Sequence, residues 1–434
     1  MSTLKVNKLR DTAGSADAIV LDPNGGAVLA GVTTISTARI TTGITTSIQV
    51  GGGVTISESG IEASGIGITC ADINGAQIGG RRNVVINGGM QIYQRGSQSY
   101  AHDGTTSGYA LDRFNFNISN TDEYDCTVTQ DTSVPDGQGF SKSLKVTTGT
   151  AESAVDANER FEIQTRLEGQ DLQHFAYGSS AAKTITLSFW VKCSIAGTYG
   201  FTIYRDETAG SRVINRPYTI NSANTWEKKI ITIAGDTVRS IDNNAGTTSS
   251  TWRMVWPMSG GSNWTSGTHS TWGAYSASYY LGGHVTNTFA TTAGSTWYLT
   301  GVQLEVGSEA TPFEHRSFGE ELALCQRYYY RHAEGADHVP ICMGTAYSSS
   351  IHFGIVHFPC KMRANPTVDA PSVSNYYREV ANGTTSLADA VQSEDANSTC
   401  CGIRFTGGSS ITQGSSIYFR LGNASAYIAF SAEL

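Results

Sequence analysis

The aromatic residues of this chain all fall on one side of a single boundary. The sequence holds 15 Phe, 7 Trp and 20 Tyr, and none precedes Tyr93. One hydrophobic core would not sort its rings this way. A chain of 434 residues also exceeds one domain of ~100–200 residues. The architecture should therefore change near residues 80–90.

The ring-free part has its own pattern. Ala18–Leu29 reads as strand, turn and strand, with Asp22-Pro23-Asn24-Gly25 as the turn. Across residues 31–80, Gly followed by Ile or Val recurs at Gly31, Gly43, Gly53, Gly60, Gly65 and Gly67, with Thr and Ser between. β-Branched residues favour strands, and glycines punctuate them. Without rings or leucine clusters the segment cannot bury enough apolar surface to offset its conformational entropy. A flexible linker is one outcome. The regular Ile and Val placement favours the other, a slender β-shaft stabilised by copies of itself, most simply a homotrimer, ending near Gly79-Gly80.

Period-two strands dominate after residue 83. Lys183–Val191 puts Ile185, Leu187, Phe189 and Val191 on one face, and Tyr199–Ile203, Ser143–Val146 and Val302–Val306 repeat the alternation. Such runs, separated by turns and not by helices, indicate an antiparallel β-sandwich. Ser317-Phe318-Gly319-Glu320 then has capping-box spacing, with Leu322, Cys325 and Tyr329 at helical intervals. The expected division is 1–30, 31–82 (shaft), 83–316 (sandwich), 317–335 (linking helix) and 336–434 (a second β domain). The fold class is all-β.

Charge narrows the function. Charged residues make up 15% of the chain, and the net charge is −8. A nucleic-acid binder needs a basic face to displace counterions from phosphate, so no nucleic-acid partner is expected. No apolar run reaches the ~20 residues of a membrane span, and the first ten residues lack a signal-peptide core; neither membrane insertion nor Sec export is expected. The eight cysteines have no zinc-knuckle spacing and read as free thiols. The adjacent Cys400 and Cys401 would form only a strained disulfide.

Four passages carry a family resemblance. Asn83-Val-Val-Ile-Asn87-Gly-Gly-Met-Gln-Ile-Tyr-Gln94-Arg95-Gly96, Tyr109–Phe114 with Asp112-Arg113, Leu299–Gly307 leading to Pro312-Phe313-Glu314-His315-Arg316, and the helical Glu320–Tyr329 resemble, in order and spacing, bacteriophage tail-fibre proteins with a carbohydrate-binding-module-like jelly roll. Ala432-Glu433-Leu434 also recurs in such fibres. More loosely, the first 80 residues resemble fibre N-termini of phages of marine and cyanobacterial hosts. The resemblance implies an elongated homotrimer in the virion tail, assembled in the host cytoplasm. Residues 1–30 would attach to the tail or baseplate, and the distal β domains would meet a host surface glycan or outer-membrane receptor. Its rivals are a glycan-trimming spike and a spacer without receptor binding.

Candidate site residues come from Trp252–Tyr280, which holds Trp252, Trp256, Trp264 and Trp272 with Tyr275, Tyr279 and Tyr280 among Ser, Gly and Thr. Rigid rings in small polar loops supply contact area at little entropic cost. Trp252 and Trp256, at strand spacing, read as core. Trp264, Trp272 and Tyr275 read as ligand-binding. Asp122, Glu123 and Asp125 could hold Ca²⁺, but read more simply as a solvated acidic turn. His332, His338, His352 and His357 read as ordinary histidines. No Gly-x-Ser-x-Gly, His-Glu-x-x-His or phosphate loop occurs. No enzyme and no cofactor are expected, although two distant carboxylates could in principle meet as a hydrolytic pair.

Overall fold

The structure is a computed structural model. It describes residues 81–434 apart from 102–103, 244–250 and 407–410, and before residue 81 it describes a set of short strands. The chain divides into two compact units, Met1–Cys70 and Ala71–Leu434. The readings for residues 1–30 and 31–82 lie largely outside the described residues, as does Gly79-Gly80.

Within the first unit, Lys8–Arg10, Asp17–Leu21 and Ala27–Leu29 form one antiparallel meander, as the Asp-Pro-Asn-Gly turn predicts. A second meander joins Ser47–Val50, Val54–Ser57 and Gly60–Ala63, with Ile48 opposite Ile56 and Ile56 opposite Ile61.

The second unit contains a sandwich of two antiparallel sheets. One has the order Gly104–Leu111, Phe114–Thr121, Arg160–Glu168, Thr251–Gly260, Thr202–Asp206, Arg212–Asn215, Gly273–Ala274. The other runs Glu227–Ile233, Ile185–Cys193, Thr296–Val306, Ser143–Thr148, Asp125–Asp131, Gln98–Ala101. Alternation explains the core between them. Ile185, Leu187, Phe189 and Val191 are all fully buried, facing Phe114, Phe116, Phe161, Ile163, Trp252 and Trp256. Phe189 meets Trp256 edge-on at 5.9 Å.

A second β domain follows, with its own core. A three-stranded sheet (Tyr329–Glu334, Tyr427–Ser431, Thr367–Asp369) accompanies a seven-stranded one: Thr384–Ala388, Tyr377–Ala381, Ser416–Leu421, Pro340–Ala346, His352–His357, Cys400–Thr406, Ala390–Ala396. Phe405 stacks on Phe419 at 4.0 Å in that core. The all-β expectation holds, and every described strand pairing is antiparallel. Among the described residues no helix is long and apolar enough to cross a membrane.

The linking helix is shorter than 317–335. It spans Phe318–Gln326, with the Ser317 hydroxyl accepting from Glu320 N at 3.3 Å as the capping pattern requires. Tyr329–Glu334 is strand and pairs with Tyr427–Ser431. Helical spacing continued through Tyr329, but a partner strand almost a hundred residues later captures this aromatic run, which suits a pleated surface.

The residues that carry the family resemblance converge on one polar knot. Asn83 Oδ1 accepts from Val85 N and Leu304 N, and its amide donates to Val302 O. Asn87 ties Ile92 to Asp112. Gly88 is required by crowding, since a Cβ there would lie 2.1 Å from Val302 O. Gln94 donates to both Asp112 Oδ1 and Tyr329 O. Arg95 and Arg113 lie over the Tyr329 and Tyr328 rings, each at 3.5 Å, and both pair with Glu433. The motifs therefore fasten the sandwich to the second domain.

Candidate functional site

The outward positions of the seven-stranded sheet follow from the same alternation. In Arg160–Glu168 the core takes Phe161, Ile163 and Leu167, which leaves Arg160, Glu162, Gln164 and Arg166 outside. Register places Asn117 beside Glu162, Asn115 beside Gln164, Arg253 beside Arg166, and Tyr204 beside Arg253. A stripe of amides, guanidiniums and one carboxylate thus crosses the middle of the sheet.

The segment after Gly260 folds back over part of this face. Tyr280 and Leu281 form a small apolar cluster with Tyr204 and Val255, and Trp264 packs against it. Gly267 permits this return, since a Cβ there would lie 2.2 Å from the Tyr279 ring. The result is an aromatic shelf. Tyr275 lies 4.6 Å from Tyr204 and 6.3 Å from Tyr280, and Trp264 lies 6.1 Å from Tyr280. Tyr275 is 37% exposed. The Arg160 guanidinium stands 4.5 Å from the Trp264 ring, and that of Arg253 stands 5.1 Å from the Tyr204 ring.

Beneath the shelf the hydrogen bonding is incomplete. Glu162 Oε1 accepts from Asn117 Nδ2 at 3.0 Å and from the Tyr280 hydroxyl at 3.3 Å. Glu162 Oε2 has no partner, nor have Gln164 Oε1 and the Nε atoms of Arg160, Arg166 and Arg253, although all are buried. Burial pushes the Glu162 carboxyl up, against the Arg160 charge and the bonds from Asn117 and Tyr280. Burial likewise lowers the Arg166 guanidinium. Buried polar groups are nearly always paired, and these five atoms without partners lie together on one face of the sheet, under the rings. Acceptors, donors and rings together suit a hydroxyl-rich ligand.

Two of the three expected ligand residues, Trp264 and Tyr275, lie on this shelf. Trp272 lies elsewhere. Its ring packs on Trp252 at 5.7 Å and Tyr177 at 5.8 Å, and its indole donates to Ala234 O. Trp252 and Trp256 are fully buried in the core. The acidic turn is organised internally: Glu152 Oε1 accepts from the backbone N of Asp122, Glu123 and Tyr124, and Asp125 binds Thr150. Among the described residues no group of three or more His, Cys, Asp or Glu could hold a metal. His352 is buried against Glu379 at 2.8 Å, while His357 is on the exposed side of the same strand. The seven described cysteines are free. Glu162, Gln164, Arg166, Arg253 and Tyr204 were not singled out from sequence. The signal for the first three was the run Arg160-Phe-Glu-Ile-Gln-Thr-Arg-Leu-Glu168, whose polar members read as ordinary solvent-facing positions; Tyr204 and Arg253 lie on other strands.

No family model and no curated protein matches the sequence. Solved structures do. The enzymatically active domain of bacteriophage CBA120 tailspike protein 4 matches at 12% identity and TM-score 0.27, over 52% of this chain and 21% of that one. The chain therefore spans about a fifth of the length of that tailspike domain. The family 11 carbohydrate-binding module of a Clostridium thermocellum cellulosomal cellulase matches at 10% identity and TM-score 0.23, over 51% of this chain and 91% of that one. The tandem CBM22-1–CBM22-2 domain of Paenibacillus barcinonensis Xyn10C matches at 11% identity and TM-score 0.23, over 77% and 95%. Likeness this distant says nothing of ligand or assembly.

Proposed function

We propose that this chain is a glycan-binding attachment protein of the bacteriophage tail-fibre type, working in the virion as a homotrimer. Residues 1–30 attach it to the tail or baseplate, and the outer face of the seven-stranded sheet holds a host surface polysaccharide. The observation that carries the binding reading is the accessible Trp264–Tyr275 shelf, with the Arg160 and Arg253 guanidiniums against its rings and the unpartnered acceptors of Glu162 and Gln164 beneath it. Sugar hydroxyls both donate and accept, and their C–H faces lie against rings. The sequence motifs that resemble tail fibres support the assembly reading. Three weak sites per fibre would gain strength through effective concentration.

The reading includes no hydrolytic step. Purified full chain, applied to an array of bacterial envelope glycans, should bind a defined subset. Glu162→Gln should reduce that binding roughly tenfold, the scale of one charge-assisted hydrogen bond. Incubation with the bound polysaccharide should release no new reducing ends. A chain that binds nothing on the array, or a Gln variant that binds as wild type does, would overturn the site. New reducing ends would replace the adhesin reading with a spike enzyme.

A further inference from the structure

The second β domain holds a cleft of its own. It has a volume of about 630 Å³ and is lined by Tyr347, Phe353, Ile355, Glu394, Asp395 and Arg404, among others. That is within the ~300–1,000 Å³ of small-ligand sites. Two features set it apart from ordinary surface relief. The first is its apolar rim: Tyr347 is 64% exposed and Ile355 58% exposed, and Tyr347 meets Phe353 edge-on at 5.6 Å. The second is a β-bulge. Ser393 pairs with Ile403 but Ala396 pairs with Cys401, so Ala390–Ala396 carries one extra residue. Consecutive strand residues normally point to opposite faces. Here Glu394 and Asp395 both line the cleft, the re-aiming that bulges produce near functional sites. Arg404 reaches Gln392, and its Nε stands 3.6 Å from Glu394. The floor is Gly402, where a Cβ would have no neighbour nearer than Asp395 N at 3.4 Å.

We infer that this cleft is a second carbohydrate site, separate from the sandwich face, which takes a neutral hexose unit of a surface polysaccharide. The carboxylates of Glu394 and Asp395 accept from adjacent hydroxyls, Arg404 donates, and Tyr347 with Ile355 takes the C–H face. The paired carboxylates turn away acidic sugars. The inference shares the class of ligand with the sandwich reading but no residues, and either can fail alone.

Cys400 supplies a built-in reporter, because it lines the cleft and is partly exposed. Wild-type full chain would be alkylated with iodoacetamide, with and without millimolar methyl hexosides (gluco, galacto and manno), and mapped by mass spectrometry. At least one hexoside should slow modification of Cys400, while Cys360, outside the cleft, keeps its rate. Tyr347→Ala should weaken that protection by about tenfold in sugar concentration, the scale of one aromatic contact. Gly402→Val should abolish it by filling the floor. Glu162→Gln should leave it intact. If no hexoside protects Cys400, or if Gly402→Val folds and is still protected, the cleft is not a sugar site. If Glu162→Gln removes the protection, the cleft is not independent of the sandwich face.

Discussion

Two clusters of buried polar side chains hang on the same seven-stranded sheet, and their acceptors are treated in opposite ways. In the knot at the Asp112-Arg113 turn, every carboxylate oxygen has a partner. Asp112 accepts from Gln94 twice, Glu433 from Arg95 and Arg113, and Glu168 from Arg327, Tyr328 and Gln170. On the open face, Glu162 Oε2 and Gln164 Oε1 have none. Burial is similar in both. Carboxylates that are all engaged fix one arrangement of parts, and unengaged acceptors do not; the contrast is one of acceptors, since Arg95 Nη1 and Arg113 Nε in the knot also lack hydrogen-bond partners. On the proposed reading, the contrast separates architecture from recognition within a single sheet.

The largest expected effect lies in the knot. Glu433→Ala leaves two buried guanidiniums without their shared carboxylate. Removing one partner of a buried pair costs roughly 3–5 kcal/mol. Chemical denaturation of the full chain should show that loss, with array binding kept under native conditions. A change below about 1 kcal/mol would mean that the knot does not hold the two domains.

An orphan atom can also arise from burial alone, and His284 tests that case. Its Nδ1 accepts from Gly200 N at 3.2 Å, its Nε2 has no partner, and burial lowers it from 6.5 to about 4. Between those values the unfolded chain takes up a proton that the folded chain refuses. Stability should therefore fall as pH drops from about 6.5 to about 4, and this group should contribute nothing above that window. The contribution is on the order of 3 kcal/mol. His284→Gln, which keeps an acceptor for Gly200, should remove that part of the slope in denaturation curves taken across the window. An unchanged slope would show that the ring is protonated in the folded state.

The two clusters differ in how far sequence could read them. Alternation exposed the sandwich, because Ile185, Leu187, Phe189 and Val191 declare a buried face locally. Ser317 declared its cap in the same way. The knot residues stood out as motifs, but their task did not, because Arg95 meets Glu433 from 338 positions away. The Tyr329–Glu334 strand was hidden for the same reason, since its partner is distant and its spacing also fits a helix. Glu162 was the least legible. A charged residue at an outward strand position ordinarily meets water. Only the return of the segment after Gly260, which brings Tyr280 onto Glu162 from 118 residues away, buries it.

Trp272 and Tyr275 sharpen the comparison at the smallest scale. They are three residues apart and have the same loop composition, so sequence could not tell them apart. The structure gives Trp272 to the core, against Trp252 and Tyr177, and Tyr275 to the shelf, against Tyr204. Trp272→Ala should cost about 1–3 kcal/mol of stability, less than a fully buried Trp because the ring is only partly covered. It should leave glycan affinity within about twofold, which is under 0.5 kcal/mol. Tyr275→Ala should do the reverse. Its melting temperature should stay within about 2 °C of wild type, while affinity falls several-fold, the ~0.5–1.5 kcal/mol of one ring contact. Melting curves and array titrations on the same two preparations decide it. If Trp272→Ala loses affinity and Tyr275→Ala loses stability, the recognition surface lies at the Trp272 edge and not over Glu162.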